Sequence, residues 1–312
     1  MRLKTLLLAS VFALAACGSP EAATNTPADR PGGVDITANQ NRIRAQQVDA
    51  IAALVPAGIR ARGTLVVGTT GNGTPPLSFR ADDDKTVIGV EPDLAQLVAD
   101  VLGLKLDLRA SSWENLFLSV DNRQFDAGFS NITVTEERKD KYDFATYRKD
   151  TIAFEVKNEK NISVREPKDI AGLTIGVGAG TNQEQILLRW DEQNKAAGLA
   201  PVKFQYYQVT SDYYLALQSG RIDAYVGPNP TSAYHVAVEG KTKIVGTVSG
   251  GGTIPADIAA MTKKDDGLVK ALQQALDTVI KNGQYAEVLN RWNLTSEALP
   301  GSEINPRGLP RK

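Results

Sequence analysis

The sequence predicts an α/β protein that is divided into two similar lobes. From Gly63 onwards, short apolar strands alternate with segments whose apolar residues recur at helical spacing, and a second set of this alternation begins near residue 160. Strand–helix–strand units of this length are typical of a mostly parallel sheet covered by helices. The strings FDAGFS (125–130) and IDAYVG (222–227) are similar in sequence, which favours two related lobes over a solenoid of short repeats.

The first lobe opens with a predicted buried strand over residues 64–68. Val87–Val90 then leads to Asp93, a predicted N-cap for a helix that keeps one apolar face and ends at Gly103. The remaining predicted elements of this lobe are a strand over 104–108, a helix over 114–122 and a strand over 125–130.

The second lobe repeats this order of elements. A predicted strand over 173–177 runs into the string GAGT, and Thr181 with Glu184 three residues later has the pattern of a capping box at a helix start. The string lacks the G-x-G-x-x-G spacing of dinucleotide-binding loops, so no such cofactor is expected. The later predicted elements of this lobe are a strand over 203–207, a helix over 211–218 and a strand over 222–226. A final predicted helix follows over 266–282.

Composition and charge exclude several classes of function. The chain has 312 residues, of which 42% are hydrophobic and 23% charged, values that are ordinary for a soluble protein of about two domains. The net charge of -1 gives no strongly basic surface, so nucleic acid is not an expected partner. One Cys and one His exclude a disulfide within the chain and a Cys/His zinc site, and they disfavour a Ser-His-Asp hydrolase. We expect neither a metal nor a cofactor.

Residues 1–17 have the features of a bacterial lipoprotein signal peptide. Arg2 and Lys4 precede an apolar run that is too short to cross a bilayer, and the run ends in Leu-Ala-Ala-Cys at residues 14–17. Small residues before such a Cys resemble the lipobox, in which the Cys becomes the lipidated N-terminus; a plain secretory signal with a chance Cys is the alternative. We therefore expect an extracytoplasmic protein that is anchored to a membrane through Cys17.

Two further segments precede the first lobe. Residues 18–40 are rich in Gly, Ser, Pro, Thr and Asn, a composition typical of a flexible tether. Residues 41–55 have apolar positions at helical spacing, which predicts a helix that ends at Pro56 within an N-terminal lead-in over 41–62.

Six strings of the chain carry a resemblance to a known family. They are RGTLVVGTTGNGTPPLSF (62–79), VIGVEPDLAQLVADVLGLKLDL (87–108), SWENLFLSVDNRQFDAGFSNITVTEERKDKYDFATYR (112–148), IAGLTIGVGAGTNQE (170–184), ALQSGRIDAYVG (216–227) and GLVKALQQALDTVIKNGQYAEVLNRWNL (267–294). Together and in this order, they resemble the bacterial extracellular solute-binding proteins of ABC importers, family 3, the group that serves polar amino acids.

The resemblance implies a two-lobe, periplasmic-binding-protein-like fold of type II, in which hinge crossovers join the lobes. Lobe 1 would hold residues 63–155 and 253–295, lobe 2 would hold 156–252, and 296–312 would be a C-terminal tail. A small amino-acid-like ligand that carries a carboxylate would bind between lobes that close on it. An ABC permease is then the expected partner, and the chain is expected to work as a monomer.

Arg138 is the foremost candidate for binding a carboxylate. Thr135 can cap a short helix, which would place Arg138 in its first turn, where a guanidinium fork and free backbone N–H groups together suit a carboxylate. A basic residue is otherwise unfavourable at a helix start, although a solvated basic run is the alternative. The resemblance implies that this is the position of the family's carboxylate-binding Arg.

Other candidate ligand contacts come from both lobes. Ser130, Asn131 and Thr133 leave a strand end, although polar residues in an ordinary turn look the same. The resemblance implies that Thr74 and Trp113 wall the ligand, whereas Trp113 could instead be a core residue. The candidates on the second lobe are Thr181, Asn182, Gln183 and Asn229.

One string departs from the family pattern. The resemblance implies an Asp after the IDAYV strand that accepts the ligand's α-ammonium group, but this chain has Pro228 and Asn229 there. Loss of a charge-assisted hydrogen bond weakens recognition by about 1.5–3 kcal/mol, so binding of a standard L-amino acid is in doubt. Candidate replacement acids are Glu91, Glu114 and Asp212.

Two other functions compete with solute binding. Cyclohexadienyl dehydratases resemble this family, but such an enzyme needs a positioned general acid, and the sequence offers no obvious acid in the expected cleft. A sensor that presents its ligated state to a membrane partner is the other alternative, and no transmembrane segment is expected after residue 295. His235 is interpreted as a packing residue of a helix rather than a catalytic one.

Overall fold

The structure, a computed structural model, describes residues 33–73 and 75–311. The predicted signal peptide with Cys17, and the candidate Thr74, lie outside this part of the chain. In chain order the helices and strands are α1 (Asp49–Ala52), α2 (Ala57–Arg62), β1 (Thr64–Thr69), β2 (Phe79–Arg80), β3 (Val87–Ile88), α3 (Val90–Val101), β4 (Lys105–Ala110), α4 (Trp113–Asp121), β5 (Ala127–Gly128), β6 (Tyr142–Lys149), β7 (Thr151–Lys157), β8 (Thr174–Val177), α5 (Asn182–Ala196), β9 (Lys203–Tyr206), α6 (Thr210–Gln218), β10 (Ala224–Pro228), α7 (Asn229–Glu239), β11 (Thr242–Ser249), β12 (Asp257–Lys263), α8 (Val269–Lys281) and α9 (Gln284–Arg291).

Two five-stranded sheets form the two lobes. Their strand orders are β4-β1-β5-β12-β6 and β11-β7-β10-β8-β9, and the second order repeats the first when it is followed from its other edge. In each sheet a central strand pairs in parallel with two neighbours, β1 with β4 and β5, and β8 with β9 and β10. The fourth strand of each sheet, β12 or β7, pairs antiparallel with both of its neighbours. The predicted α/β class with two similar lobes of the type II binding-protein fold is confirmed.

The chain crosses between the sheets at two places. Asp150 separates β6, an edge strand of the first sheet, from β7, which pairs with β10 and β11 in the second sheet. Residues 151–155 therefore belong to lobe 2, not to lobe 1 as predicted. The second crossing runs over residues 250–256, close to the predicted boundary.

Helix α3 begins earlier than its sequence pattern indicated. Its N-cap is Gly89, which has φ 129 and lies so close to Leu77 that a Cβ there would be 2.1 Å from the Leu77 carbonyl oxygen. Only glycine tolerates both this conformation and this approach. Asp93, the predicted cap, is instead buried in the helix and accepts a hydrogen bond of 2.8 Å from Trp292 Nε1.

The segment before β1 is docked on lobe 1, which corrects two predictions. The helix predicted over 41–55 exists only as α1, because the backbone N–H of Val48 donates to Val101 O at 3.0 Å and Arg44 pairs with Asp100 of α3. The tether predicted over 18–40 is also too long at its C-terminal end. Val34 is 2% exposed and belongs to the apolar core of the first lobe, so residues 33–40 are part of the folded unit.

Residues 296–311 are not a tail, in contrast to the prediction. Glu297 lies in a 3-10 turn and pairs with the buried Arg148, and Ile304 forms a β-bridge with Ala145 of the edge strand β6. Leu309 is 1% exposed and lies in the apolar cluster of lobe 2. The segment covers a sheet edge that would otherwise present unpaired backbone groups.

No helix within residues 33–73 and 75–311 is long and apolar enough to cross a membrane. The same residues contain no group of three or more His, Cys, Asp or Glu side chains that could hold a metal ion.

Candidate functional site

A cavity of about 320 Å³ lies between the two lobes. It collects the carboxyl ends of strands from both sheets, because Thr70 follows β1, Ser130 follows β5, Gly178 follows β8 and Pro228 ends β10. Open α/β sheets bind their ligands at the carboxyl ends of parallel strands. The predicted site residues that line this cavity are Trp113, Ser130, Asn131, Thr181, Asn182 and Gln183.

The wall from lobe 1 is held together by hydroxyl groups and one aromatic ring. Ser130 is 4% exposed, and its Oγ accepts a hydrogen bond of 3.0 Å from the backbone N–H of Thr70 and lies 2.8 Å from Thr70 Oγ1. Trp113 is the first residue of α4, whose N-cap is Ser112. These contacts fix the ends of β1 and β5 beside the cavity.

The wall from lobe 2 is the start of helix α5. Thr181 is its N-cap, as predicted, and accepts a hydrogen bond of 3.2 Å from the backbone N–H of Glu184. The predicted capping box is only half present, since the carboxylate of Glu184 accepts from Gly180 N at 2.7 Å rather than from Thr181 N. Gln183 is 5% exposed, and its Oε1 has no hydrogen-bond partner among the described residues, so it can accept an N–H from a ligand.

Three tyrosines that sequence reasoning missed also line the cavity: Tyr207, Tyr213 and Tyr225. The rings of Tyr213 and Tyr225 are stacked with their centroids 4.2 Å apart. Gly227 leaves space for Tyr225, because a Cβ at Gly227 would lie 1.9 Å from Tyr225 Oη. Tyr225 lies in β10, Tyr213 lies in α6 and Tyr207 follows β9. Buried aromatic residues in strands and helices are usually core residues, so the sequence held no signal that could have placed these rings at the cavity.

Arg138 has the predicted local setting but a different contact surface. Its backbone N–H donates to Thr135 Oγ1 at 3.0 Å, and it begins a 3-10 turn over Arg138–Asp140. Its guanidinium donates to Thr133 O at 2.8 Å in lobe 1 and to Gly180 O at 3.1 Å in lobe 2. The carbon of the guanidinium also lies 5.2 Å from the ring centroid of Trp113.

Arg138 lines a second cavity of about 550 Å³ rather than the first. The two cavities share Trp113, Glu114 and Ala179, so they adjoin each other around the Trp113 ring. Burial lowers the pKa of Arg138 to about 10, which leaves the group charged at neutral pH. The guanidinium therefore lies at the edge of the inter-lobe space, already bonded to both lobes.

Besides Arg138, two predicted contacts within the described residues do not line the main cavity. Thr133 is fully buried and donates from Oγ1 to Asp150 Oδ2 at 2.7 Å, so its hydroxyl faces the crossing between the lobes. Asn229 is the first residue of α7, and the start of this helix directs Pro228 and Thr231, rather than Asn229, to the cavity.

The structure distinguishes among the three candidate replacement acids. Glu114 is an exposed residue of the cavity wall, and Glu91 lies at the same wall but is fully buried, whereas Asp212 is exposed in the first turn of α6 and does not line the cavity. The expectation of no acid in the cleft was therefore wrong.

Glu91 belongs to a buried network behind the cavity that sequence reasoning missed. Its carboxylate accepts from Arg148 Nη2 at 3.2 Å and from the hydroxyl of Tyr147. Arg148 is 1% exposed, also pairs with Glu297 and donates to Asn131 Oδ1. Burial raises the pKa values of Glu91 and Glu297 above the usual range of a Glu, and the positive charge of Arg148 offsets only part of this effect. The network orients Asn131 and Glu91 at the cavity wall.

Asp150 is placed at the first crossing and bonds to both lobes. Its Oδ2 accepts from Thr133 Oγ1 in lobe 1 and from Asn182 Nδ2, at 2.9 Å, in lobe 2. Burial raises the pKa of Asp150. Gly250 in the second crossing gives the carboxylate room, since a Cβ there would lie 1.7 Å from Asp150 Oδ2. Together with the Arg138–Gly180 bond, these contacts hold the lobes against each other.

His235 packs inside lobe 2. It is 9% exposed, stacks on Tyr214 with ring centroids 3.5 Å apart, and lies 2.6 Å from Glu155 Oε1 through Nδ1. It does not line the cavity, in agreement with its interpretation as a packing residue.

The family of bacterial extracellular solute-binding proteins, family 3, matches residues 65–295. The chain belongs to this family. Its relatives are mostly binding proteins rather than enzymes, and a solute-binding role outside the cytoplasm follows from that membership.

Three proteins that are similar to this chain are named as amino-acid-binding proteins. The L-cystine-binding protein TcyJ of Escherichia coli strain K12 is 31% identical over 236 residues, which cover 75% of this chain and 84% of TcyJ. An ancestral arginine-binding protein bound to arginine is 28% identical, with a TM-score of 0.66 over 74% of this chain and 98% of that one. The ancestral amino acid-binding protein AncCDT-1, a precursor of cyclohexadienyl dehydratase, is 25% identical, with a TM-score of 0.65 over 75% and 97% of the two chains.

Proposed function

We propose that this chain is a lipid-anchored receptor that captures a small, amino-acid-like solute carrying a carboxylate and delivers it, as a monomer, to an ABC permease. The observation that carries the proposal is the cavity of about 320 Å³ at the carboxyl ends of strands from both lobes. Such a cavity has the volume of a small-molecule site, and a ligand that contacts both lobes favours their closure.

Two features support a carboxylate on the solute. The first turn of α5 lines the cavity, so the positive end of the helix dipole and the backbone N–H groups of that turn suit an anion there. Arg138 lies beside the shared wall, and its bond to Gly180 O is one that a carboxylate can replace with a charge-assisted bond. We propose Arg138, Thr181 and Asn182 as the carboxylate-binding group, with Ser130 and Gln183 as further contacts.

Pro228 is the residue from which we infer the chemistry of the solute's nitrogen. Pro228 lines the cavity, and the family resemblance implies that an acid at this position would accept an α-ammonium group. A buried carboxylate that faces a nitrogen without N–H donors is unfavourable, whereas a neutral residue is not. We therefore propose a solute whose nitrogen is absent, substituted or differently placed. The alternative is that Glu91 or Glu114 has taken over, in which case ordinary amino acids such as L-cystine or L-arginine, the ligands named for relatives, still bind.

Calorimetric titration of the mature domain against the twenty L-amino acids and L-cystine tests this choice. We expect wild type to bind none of them at micromolar affinity, and Pro228→Asp to gain about 1.5–3 kcal/mol for ordinary L-α-amino acids, because it restores a charged acceptor. Asp is also a favourable N-cap for α7, so the variant should fold. Thr231→Ala, which changes the same wall without adding a charge, is the control. Micromolar binding of an ordinary L-α-amino acid by wild type would show that another acid serves in place of residue 228.

An enzyme on the same fold is the second candidate, and Glu91 is the observation in its favour. A buried acid with a raised pKa at a cavity wall is what a general acid requires. Its oxygens are held by Arg148 and Tyr147, which favours an orienting role instead. Incubation with a cyclohexadienyl substrate should release no product, and turnover that Glu91→Gln abolishes would favour the enzyme.

A further inference from the structure

Residues 301–311, called the strap below, are bound first to lobe 1. The backbone N–H of Glu303 donates to Thr146 Oγ1 at 2.8 Å, and its carbonyl accepts from Thr146 N at 3.0 Å. Asn305 N donates to Phe144 O at 3.0 Å, and Asn305 Nδ2 donates to Asp143 Oδ1 at 2.8 Å. The strap therefore extends the first sheet along the outer edge of β6.

The strap then meets the segment that leads to Arg138. Gly308 N donates to Glu136 Oε1 at 2.9 Å, and Leu309 N donates to Val134 O at 3.1 Å. In return, Glu136 N donates to Leu309 O at 3.0 Å. The backbone on both sides of Thr135, the residue that caps the Arg138 turn, is thus paired with the strap.

At the same point the strap reaches lobe 2. The side chain of Leu309 is 1% exposed and lies in the apolar cluster of that lobe, which includes Ile186 of α5. Arg189 of α5 donates to the carbonyl of Pro310. Leu309 Cδ1 also lies 3.7 Å from where a Cβ on Gly252 would be, so the strap packs against the second crossing. One residue, Leu309, therefore has its backbone in lobe 1 and its side chain in lobe 2.

We propose that the strap is a third connection between the lobes and favours their closed arrangement before any ligand binds. If lobe 1 and its strap rotate away from lobe 2, the Leu309 side chain has to leave the core of lobe 2, and the Arg189–Pro310 bond has to break. Both events expose buried groups, so they oppose opening. The strap joins the Arg138 segment to the helix whose N-terminus lines the cavity, so it also sets the distance between the two halves of the site.

Its bearing on affinity rests on the proposed function, whereas its bearing on lobe separation does not. A ligand binds an already closed cleft without the loss of affinity that a small closed population would cause. The test is therefore made without ligand, so that a wrong choice of solute cannot affect the result.

The distance between spin labels on exposed helix positions of the two lobes measures opening. Leu118 on α4 and Leu215 on α6 are 56% and 64% exposed, and the chain contains a single Cys, so Leu118→Cys and Leu215→Cys in a Cys17→Ser background give unique labels. We expect one short distance for the parent and a new, longer component for Leu309→Ala, measured by double electron–electron resonance. Ile304→Ala is the matched control, because Ile304 is a strap residue 41% exposed that bridges only to lobe 1.

Arg189→Ala is a second variant that removes the bond to Pro310 while leaving the core intact, and it decides the matter if Leu309→Ala does not fold. It should show the same longer component to a smaller extent. An unchanged distance in both folded variants would overturn the proposal. Equal opening in Ile304→Ala would overturn it as well, since the strap would then act by stabilising lobe 1 alone.

Discussion

Arg138 lies where the lobes meet, and its guanidinium donates to one backbone carbonyl in each of them. The group has five N–H donors, so a ligand carboxylate at the junction of the two cavities could be bound while the bond to Thr133 O persists. Although burial lowers its pKa to about 10, the guanidinium keeps its positive charge at neutral pH, which suits an anion. The Trp113 ring, with its centroid 5.2 Å from the guanidinium carbon, stabilises this cation. The Trp113 ring is therefore already occupied by a cation from the protein, which disfavours its use for a cationic ligand.

Removal of this side chain should weaken binding of the carboxylate. For a solute identified by titration, Arg138→Ala should cost about 2–5 kcal/mol of binding free energy, because a desolvated charge pair is lost. Arg138→Lys should recover only part of this, since lysine keeps the charge but not the fork. Calorimetry on folded variants checks both values, and affinity equal to wild type in Arg138→Ala would remove Arg138 from the site.

At the scale of elements, periodicity predicted the strands and helices that carry the cavity. Thr181 and the end of β5 could be located because a capping residue and a strand end are local features. The segment 33–48 and the strap could not, because contacts with residues far along the chain hold them in place rather than local propensity. The prediction for Asn229 was wrong because α7 starts at that residue, so Pro228 and Thr231 line the cavity instead. Sequence patterns do not locate a helix boundary to within one residue.

Three elements bring carboxylates together at the start of β12. Asp257 is the first residue of that strand, and Glu303 of the strap and Asp150 of the first crossing are the acids whose charges act on it. Burial, followed by repulsion from these two groups, raises the pKa of Asp257 to about 6. The folded protein therefore takes up a proton on Asp257 at a pH where the unfolded chain, with an ordinary Asp, has lost it.

This group should destabilise the fold as pH rises. Below about pH 4 the carboxyl is protonated in both states and contributes nothing; between about pH 4 and 6 the folded state binds more protons, so stability falls with pH. Above pH 6 the penalty is complete. Asp257→Asn should therefore raise the melting temperature at pH 7.5 but not at pH 4, as measured by calorimetry. Asp84→Asn in an exposed turn is the control, and equal shifts at both pH values would contradict the assignment.

At the scale of the whole molecule, the two lobes are joined by two crossings and, as we propose, by the strap. The first crossing is a single residue, Asp150, so the lobes cannot separate far near that point and must move as a hinge. The cavity lies between the faces that such a motion brings together. The strap, which pairs with the edge strand of lobe 1, thus also opposes the opening of the cleft in our proposal.

The place of the molecule in the cell depends on a residue outside the described part. Fifteen residues separate Cys17 from Gly33, where the described chain begins, and a fully extended chain spans at most about 55 Å from one to the other. A lipid on Cys17 would keep Gly33, and with it the folded domain, near a membrane, where a permease is found, while leaving the fold unchanged.

Cys17→Ser should therefore move the protein from the membrane to the soluble fraction without a change in ligand affinity or melting temperature. The reason is that acyl chains on the sulfur would supply the anchoring free energy, about 0.8 kcal/mol for each buried methylene, whereas the residues that line the cavity all lie within the described part of the chain. Fractionation of washed cells, followed by detection of the protein in each fraction, measures the effect. Thr24→Ala, which alters the segment between Cys17 and the domain but leaves the lipobox intact, should stay with the membrane. Wild-type protein that is already soluble, or a Cys17→Ser variant that still sediments with the membrane, would show that the anchor is not a lipid on this cysteine.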